Sequence, residues 1–206
     1  MKKLQRYFLK ADTRFFESAT RHNFVKHFTK YKIIQLYTHA SDTAGFGEPV
    51  IYFADSLLLL SELIGGEQPA TNLIVLSACN TGAGKLHPGE GVFSFNREFA
   101  SMGVPAAITN LWEADRSSGI QLTELFYEYL NNGVSTHVAL QQAKLAFLST
   151  ASEKNKLPYF WAGTILTGKS NMIAFKKPFP WPTIILIIAG ISLVVIFAYL
   201  NKRKKI

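Results

Sequence analysis

Residues 73–84 read LIVLSACNTGAG, and the expected fold is built around this stretch. Its first part is short, apolar and rich in branched side chains, which is typical of a strand buried on both faces of a parallel sheet. The small and turn-forming residues that follow predict a loop directly after the strand. Cys79, the single cysteine of the chain, is therefore predicted at the carboxyl end of a central strand. In open α/β sheets, ligands bind at that edge.

A second strand provides a partner for the thiol. Residues 31–40 read YKIIQLYTHA, an apolar run that ends with His39. A cysteine and a histidine at the same end of neighbouring strands are the groups that a thiol nucleophile and its base require. The alternative interpretation is ordinary packing, because a lone buried cysteine usually fills space and a strand-end histidine usually only forms a hydrogen bond.

Composition limits the class of protein. The chain has 206 residues, enough for one domain with a core plus an appendage, and its 48% hydrophobic content excludes a disordered chain. One cysteine excludes an internal disulfide and a cysteine-rich zinc site, and no metal or organic cofactor is implied. Residues 202–205 supply half of the net charge of +8, which indicates a membrane flank rather than a nucleic-acid surface.

Helical and strand patterns alternate along the chain. Besides the two strands above, the sequence predicts strands at 50–55, 104–111 and 159–166, and helices at 15–28, 56–64, 90–102, 117–130 and 136–148. This alternation predicts an α/β fold with a mostly parallel sheet covered by helices. Glu113 and Asp115 follow a strand at the same edge as Cys79 and are candidates to line a substrate pocket. A helix cap is an equally good interpretation of Asp115.

Together these patterns resemble a known family, the CHAT domain, a caspase-like peptidase module often found after tetratricopeptide repeats. The resemblance covers about residues 17–168, and it is carried by a series of short motifs in order along the chain: Thr38-His39, LSACNTG at 76–82, Gly89-Glu90-Gly91, Leu111-Trp112 with Asp115, Phe126-Tyr127, the helix at 139–148, and PYFW at 158–161. It implies a caspase-like sheet and assigns residues 1–168 to this domain. The family has more sequence before residue 15, so the resemblance implies that the domain lacks its amino-terminal portion, including an opening strand.

The resemblance also implies an activity. Caspase-like peptidases are cysteine endopeptidases that hydrolyse peptide bonds in protein substrates, and the catalytic roles correspond here to His39 and Cys79. The backbone N–H groups of Ala40 and Cys79 are the corresponding oxyanion donors. Relatives are commonly controlled by a repeat domain or a partner chain, so we expect this chain alone to be inactive or weakly active. The alternative is an inactive, membrane-anchored interaction module that keeps the fold.

The carboxyl-terminal region has the pattern of a single membrane span. Residues 183–200 are 18 residues without charge, which as a helix extend about 27 Å. Trp181 and Tyr199 mark the two interfaces. We therefore predict a linker at 169–182, a transmembrane helix at 183–200 in contact with lipid, and a basic tail at 201–206; a buried soluble helix is the alternative.

The basic tail also predicts an orientation. Its four basic residues place it in the cytoplasm, with the domain in the periplasm or outside the cell. If Met1 is the true start, no signal sequence precedes the domain, and a tail anchor with a cytoplasmic domain is expected instead.

Overall fold

Nine strands and four α-helices form the part of the chain that this computed structural model describes, namely residues 4–8, 10–41, 48–64, 68–78, 85–87, 91–113, 115–173, 185 and 189–192. In chain order the elements are α1 (Arg21–Phe28), β1 (Ile33–Tyr37), β2 (Ala40–Ser41), β3 (Val50–Tyr52), β4 (Leu57–Leu59), β5 (Leu73–Ser77), β6 (Lys85–His87), β7 (Gly91–Phe93), α2 (Phe95–Ser101), β8 (Ala106–Asn110), α3 (Arg116–Asn131), α4 (Thr136–Thr150) and β9 (Thr164–Gly168).

The central sheet has four strands in the order β1-β5-β8-β9. β1 pairs with β5 and β5 with β8 in parallel, whereas β9 runs antiparallel to β8. The prediction of a mostly parallel sheet in an α/β fold is confirmed. A smaller antiparallel sheet has the order β2-β3-β4, and β6 and β7 form an antiparallel pair.

Alternation along the buried strands gives the central sheet two apolar faces. On one face, Leu73 and Val75 pack with the apolar sides of α3 and α4, including Phe126 and Phe147. On the other face, residues of opposite parity pack against α1, α2 and the small sheet: Ile74, Leu76 and Ala107 with Phe28, Phe95, Phe99 and Ile51. Helices therefore cover both faces, and the polar carboxyl edge of the sheet is left for a site.

Four predicted elements differ from the structure. The helix expected at 90–102 begins only at Phe95, because Gly91–Phe93 is strand β7 and pairs with β6. Residues 56–64 were expected to be helical, but they form β4 and a 3-10 helix, Leu60–Leu63, because β4 pairs with β3. The strand expected at 159–166 begins later, since Pro158–Phe160 is a 3-10 turn and β9 starts at Thr164. The helix expected at 15–28 is divided, with α1 starting only after its cap, Thr20, which accepts from the N–H of Asn23.

The chain divides into two compact units, Met1–Phe175 and Lys176–Ile206. Within the second unit the structure describes residue 185 and residues 189–192, which are helical. Most of the predicted membrane span at 183–200, part of the linker at 169–182 and the whole tail at 201–206 thus lie outside the described residues. Among the residues that are described, no helix has the length and apolar character needed to cross a membrane.

Candidate active site

The carboxyl ends of β1 and β5 meet at one edge of the central sheet. Their register pairs Leu36 with Leu76 and Tyr37 with Ser77. In the sequence, His39 stands two residues after Tyr37, and Cys79 stands two residues after Ser77. Cys79 itself lies outside the described residues, whose last member before it is Ala78, buried at 7% exposure. The register therefore shows that the two strands leading towards the predicted catalytic residues end side by side.

His39 is attached to the small sheet through Tyr52. The N–H of Tyr52 donates to the carbonyl of His39 at 3.0 Å, and the hydroxyl of Thr38 donates to the carbonyl of Tyr52. Both main-chain polar groups of Tyr52 are thus occupied by the segment that carries the histidine. The His39 side chain is exposed at this edge. A strand-end histidine with a fixed main chain and an accessible ring is suited to proton transfer.

The backbone amide of Ala40, a predicted oxyanion donor, has a direction set by the pairing of β2 with β3. Ala40 lies opposite Ile51, and the flanking pair, His39 and Tyr52, is hydrogen-bonded. Hydrogen-bonded and non-hydrogen-bonded pairs alternate along an antiparallel ladder. Ala40 therefore belongs to a non-hydrogen-bonded pair, and its N–H points away from β3.

Asn110, at the carboxyl end of β8, connects that strand to β5 through its side chain. Its Nδ2 donates to the carbonyl of Ala78 at 3.2 Å, and its Oδ1 accepts from the hydroxyl of Thr164 at 2.8 Å. Asn110 is buried at 9% exposure. Sequence reasoning missed this residue, although an amide side chain that ends an otherwise apolar strand was a usable signal.

A second, half-buried polar connection lies behind the same edge. Gln35 donates through Nε2 to the hydroxyl of Ser77 at 3.0 Å and accepts from the hydroxyl of Tyr127 at 3.0 Å. Burial raises the pKa of Tyr127 well above its ordinary value, with a smaller contribution from Tyr37, so this hydroxyl remains a donor at physiological pH. The bonds tie α3, β1 and β5 together just before the two strands end.

The two predicted pocket residues lie beyond the end of β8 and differ in their surroundings. Asp115 is the N-cap of α3, and its Oδ2 accepts from the N–H of Ser118 at 2.8 Å and from the Ser118 hydroxyl at 2.9 Å. These bonds lower the pKa of Asp115 below its ordinary value. The cap is therefore a role that Asp115 has in the structure. Glu113 is exposed at the same edge.

Trp112, between the sheet and these carboxylates, is held by close packing. Its Nε1 donates to the carbonyl of Tyr159 at 2.9 Å. A Cβ on Gly163 would lie 2.6 Å from the Trp112 ring, so only glycine allows this approach. Tyr159 and Gly163, which precede β9, thereby hold Trp112 in place beside the candidate site.

In the sequence, an imidazole (His39) and a thiol (Cys79) follow the two strands that end at this edge. Among the described residues there is no group of three or more His, Cys, Asp or Glu side chains placed to hold a metal ion. Acyl transfer by a thiol needs a base and an N–H donor for the oxyanion, and the described residues place the exposed side chain of His39 and the N–H of Ala40 at this edge. The class of protein that the described residues define is an α/β domain with a mostly parallel central sheet and a polar carboxyl edge.

Comparison with solved structures agrees with that class. The fold is similar to the Arg specific cysteine proteinase gingipain R, with a TM-score of 0.60 over 84% of this chain at 14% sequence identity. The chain spans 40% of the length of that proteinase chain. No curated protein matches the sequence.

The family model for the CHAT domain matches residues 1–169, and the chain belongs to this family. The resemblance drawn from the sequence motifs is confirmed, as is the caspase-like cysteine peptidase fold that it implied.

Proposed function

We propose that this protein is a cysteine endopeptidase in which Cys79 is the nucleophile and His39 the base. The observation that carries the proposal is the register of β1 with β5, in which Tyr37 is the partner of Ser77. Each candidate stands two residues beyond a member of this pair. The cysteine peptidase fold shared with gingipain R and membership of the CHAT family support the same reaction class.

The reaction that we propose has two steps. The imidazole of His39 takes the thiol proton of Cys79, and the sulfur forms a bond to the carbonyl carbon of the scissile peptide while the π electron pair moves to oxygen. Collapse of this intermediate breaks the C–N bond, and the leaving amine takes the proton from the imidazolium. Water then attacks the thioester with His39 as base, which releases the carboxylic acid and restores the thiol.

The oxyanion of each step needs N–H donors aimed at the developing charge. We assign this role to the backbone amides of Ala40 and Cys79. The N–H of Ala40 points away from β3, which supports the assignment, because an N–H that donates to a neighbouring strand could not donate to the oxyanion.

The substrate is a protein or peptide, and we propose a basic residue on the amino side of the cleaved bond. Glu113 supports this, because it is an exposed carboxylate beside the sheet edge. Asp115 is the second member of the proposed pocket, although the Ser118 amide and hydroxyl already occupy its Oδ2. Gingipain R, which shares the fold, is an Arg specific proteinase, and a carboxylate in a pocket is the chemical complement of arginine.

A peptide library tests the activity. The wild type is expected to cleave library members that contain arginine or lysine, at a low rate when it is alone, while Cys79→Ala abolishes cleavage and His39→Ala lowers it by about 100-fold or more. His22→Ala, at an exposed histidine of α1, is the matched control and should retain full activity. Cleavage that survives Cys79→Ala contradicts the proposal. Binding of a protein partner without cleavage by any form favours the alternative, an inactive interaction module.

We further propose that residues 183–200 anchor the domain in a membrane with the basic tail in the cytoplasm, and that a repeat domain or partner chain controls activity. The uncharged run and its basic flank support the anchor.

Release of the protein from membranes by a carbonate wash contradicts the anchor. Proteolysis of intact spheroplasts tests the orientation, since a domain that is degraded only after lysis lies in the cytoplasm. Full turnover by the purified chain alone contradicts the control by a partner.

A further inference from the structure

The side chain of Asn110 donates a hydrogen bond to the carbonyl of Ala78, the residue before the proposed nucleophile Cys79. The main-chain register of β5 with β8 consists of the pairs Ile74–Ala107 and Val75–Ile108. Beyond these pairs, the Asn110 amide reaches from β8 to the carbonyl of Ala78. Ala78 directly precedes Cys79 in the chain. A buried side chain thus forms a cross-strand bond at the point where the candidate site begins.

One orientation of the Asn110 amide satisfies both Ala78 and Thr164. Nδ2 must face the Ala78 carbonyl, because a carbonyl only accepts, and Oδ1 then faces the donating hydroxyl of Thr164. Aspartate has the same size but no donor for Ala78, and leucine has neither group. The position therefore requires a donor and an acceptor on one short planar side chain, which asparagine provides.

A trans peptide unit is planar, so its carbonyl oxygen and its amide hydrogen point in opposite directions. The unit that begins with the Ala78 carbonyl ends with the amide of Cys79. We infer that Asn110 is a positioning residue: by holding the Ala78 carbonyl, it sets the direction of the Cys79 amide. The inference rests on the proposed function in one respect, since a fixed Cys79 amide matters for catalysis only if its N–H donates to the oxyanion.

Selective labelling with ¹⁵N-cysteine tests this directly, because the chain contains one cysteine and so gives one backbone amide signal. In the full chain, Asn110→Leu and Asn110→Asp are each expected to move this signal and to speed its hydrogen exchange by about tenfold, the loss of one buried hydrogen bond. Thr164→Val removes the hydroxyl that donates to Oδ1, and it should also speed hydrogen exchange of the Cys79 amide, but by less than about tenfold.

Thr109→Val is the matched control. Thr109 is the preceding residue of β8 and fully buried, and its hydroxyl donates to Asn96 at 3.1 Å, so its loss removes a buried bond unconnected to Ala78. This variant should leave exchange of the Cys79 amide within about twofold of the wild type. Equal acceleration in Thr109→Val and the Asn110 variants, or no acceleration in any of them, overturns the inference.

Kinetics separate the inference from the proposed function. In a cleaving enzyme, Asn110→Leu should lower kcat by about tenfold or more with KM changed less than about threefold, as expected for a group that acts mainly in the transition state. A rise in KM with an unchanged kcat overturns the positioning role. If the wild type cleaves nothing while the labelled amide still depends on Asn110, the peptidase proposal fails and the orienting bond stands.

Discussion

The hydroxyl of Tyr127 donates a hydrogen bond to the side-chain oxygen of Gln35 at 3.0 Å, although the two residues are 92 positions apart. Tyr127 lies on α3 and is 1% exposed, while Gln35 lies in the middle of β1. Through Nε2, Gln35 continues the connection to Ser77 at the end of β5. One buried tyrosine thereby couples the helix layer to both strands that lead into the candidate site.

Tyr127→Phe tests how much this bond stabilises the domain. The substitution leaves Gln35 with an unsatisfied acceptor, so the free energy of unfolding should fall by about 1–2 kcal/mol in urea denaturation. Tyr129→Phe is the control on the same helix, since the described residues offer the Tyr129 hydroxyl no hydrogen bond, and it should change stability by less than about 0.5 kcal/mol. A Tyr127→Phe protein as stable as the wild type contradicts the assigned role.

Asp115 gives a prediction about pH. Its bonds to Ser118 hold its pKa below the ordinary value, so the stabilisation is present above the unfolded pKa of about 3.9 and is lost as pH falls through the lower folded pKa. Between pH 5 and the acid limit, thermal unfolding should therefore show a steeper loss of stability in the wild type than in Asp115→Asn.

Substitution of the same residue by alanine separates capping from charge. Asp115→Ala should lower the free energy of unfolding by about 0.5–2 kcal/mol at neutral pH, because the N–H of Ser118 loses its acceptor. Asparagine keeps an acceptor and should retain most of the stability. Identical stability of the alanine variant and the wild type would show that the cap has no energetic role.

The approach of Gly163 to Trp112 gives a steric prediction. An added Cβ at Gly163 meets the ring at 2.6 Å, so Gly163→Ala should destabilise the domain by about 1–3 kcal/mol in urea. Gly119 on α3 is the matched control, because a Cβ there meets nothing within 4 Å. Gly119→Ala should raise stability by up to about 1 kcal/mol. If both alanines have the same effect, the close contact at Trp112 is unimportant.

Local patterns predicted the elements that bury a regular face. The apolar run at 73–77 and the helices now seen as α3 and α4 could be placed because their periodicity matches their burial. Residues 56–64 were misassigned because leucine favours helices intrinsically, whereas pairing of Leu59 with Val50 makes this segment a strand. Strand pairing of this kind depends on a distant partner that the local pattern does not contain.

The sequence could nominate candidate site residues only where it shows the end of a strand. Cys79 and His39 could be named from the sequence because strand ends are visible in it, and Asp115 could be named with both of its possible roles. Asn110 and Gln35 could not be assigned a role, because their partners, Ala78 and Tyr127, are 32 and 92 positions away. The antiparallel direction of β9 was equally hidden, since a strand carries no local mark of its direction.

The pairing of Cys79 with His39 is tested by the rate at which iodoacetamide alkylates Cys79 as a function of pH, in the wild type and in His39→Ala. Every modified thiol is Cys79, because the chain has no other cysteine. If His39 is the base, the wild-type thiol should react well below the ordinary thiol pKa of about 8.5, and His39→Ala should move the midpoint up towards that value. His22→Ala should leave the profile unchanged. The same midpoint in the wild type and in His39→Ala would contradict the assignment of Cys79 and His39 as a catalytic pair.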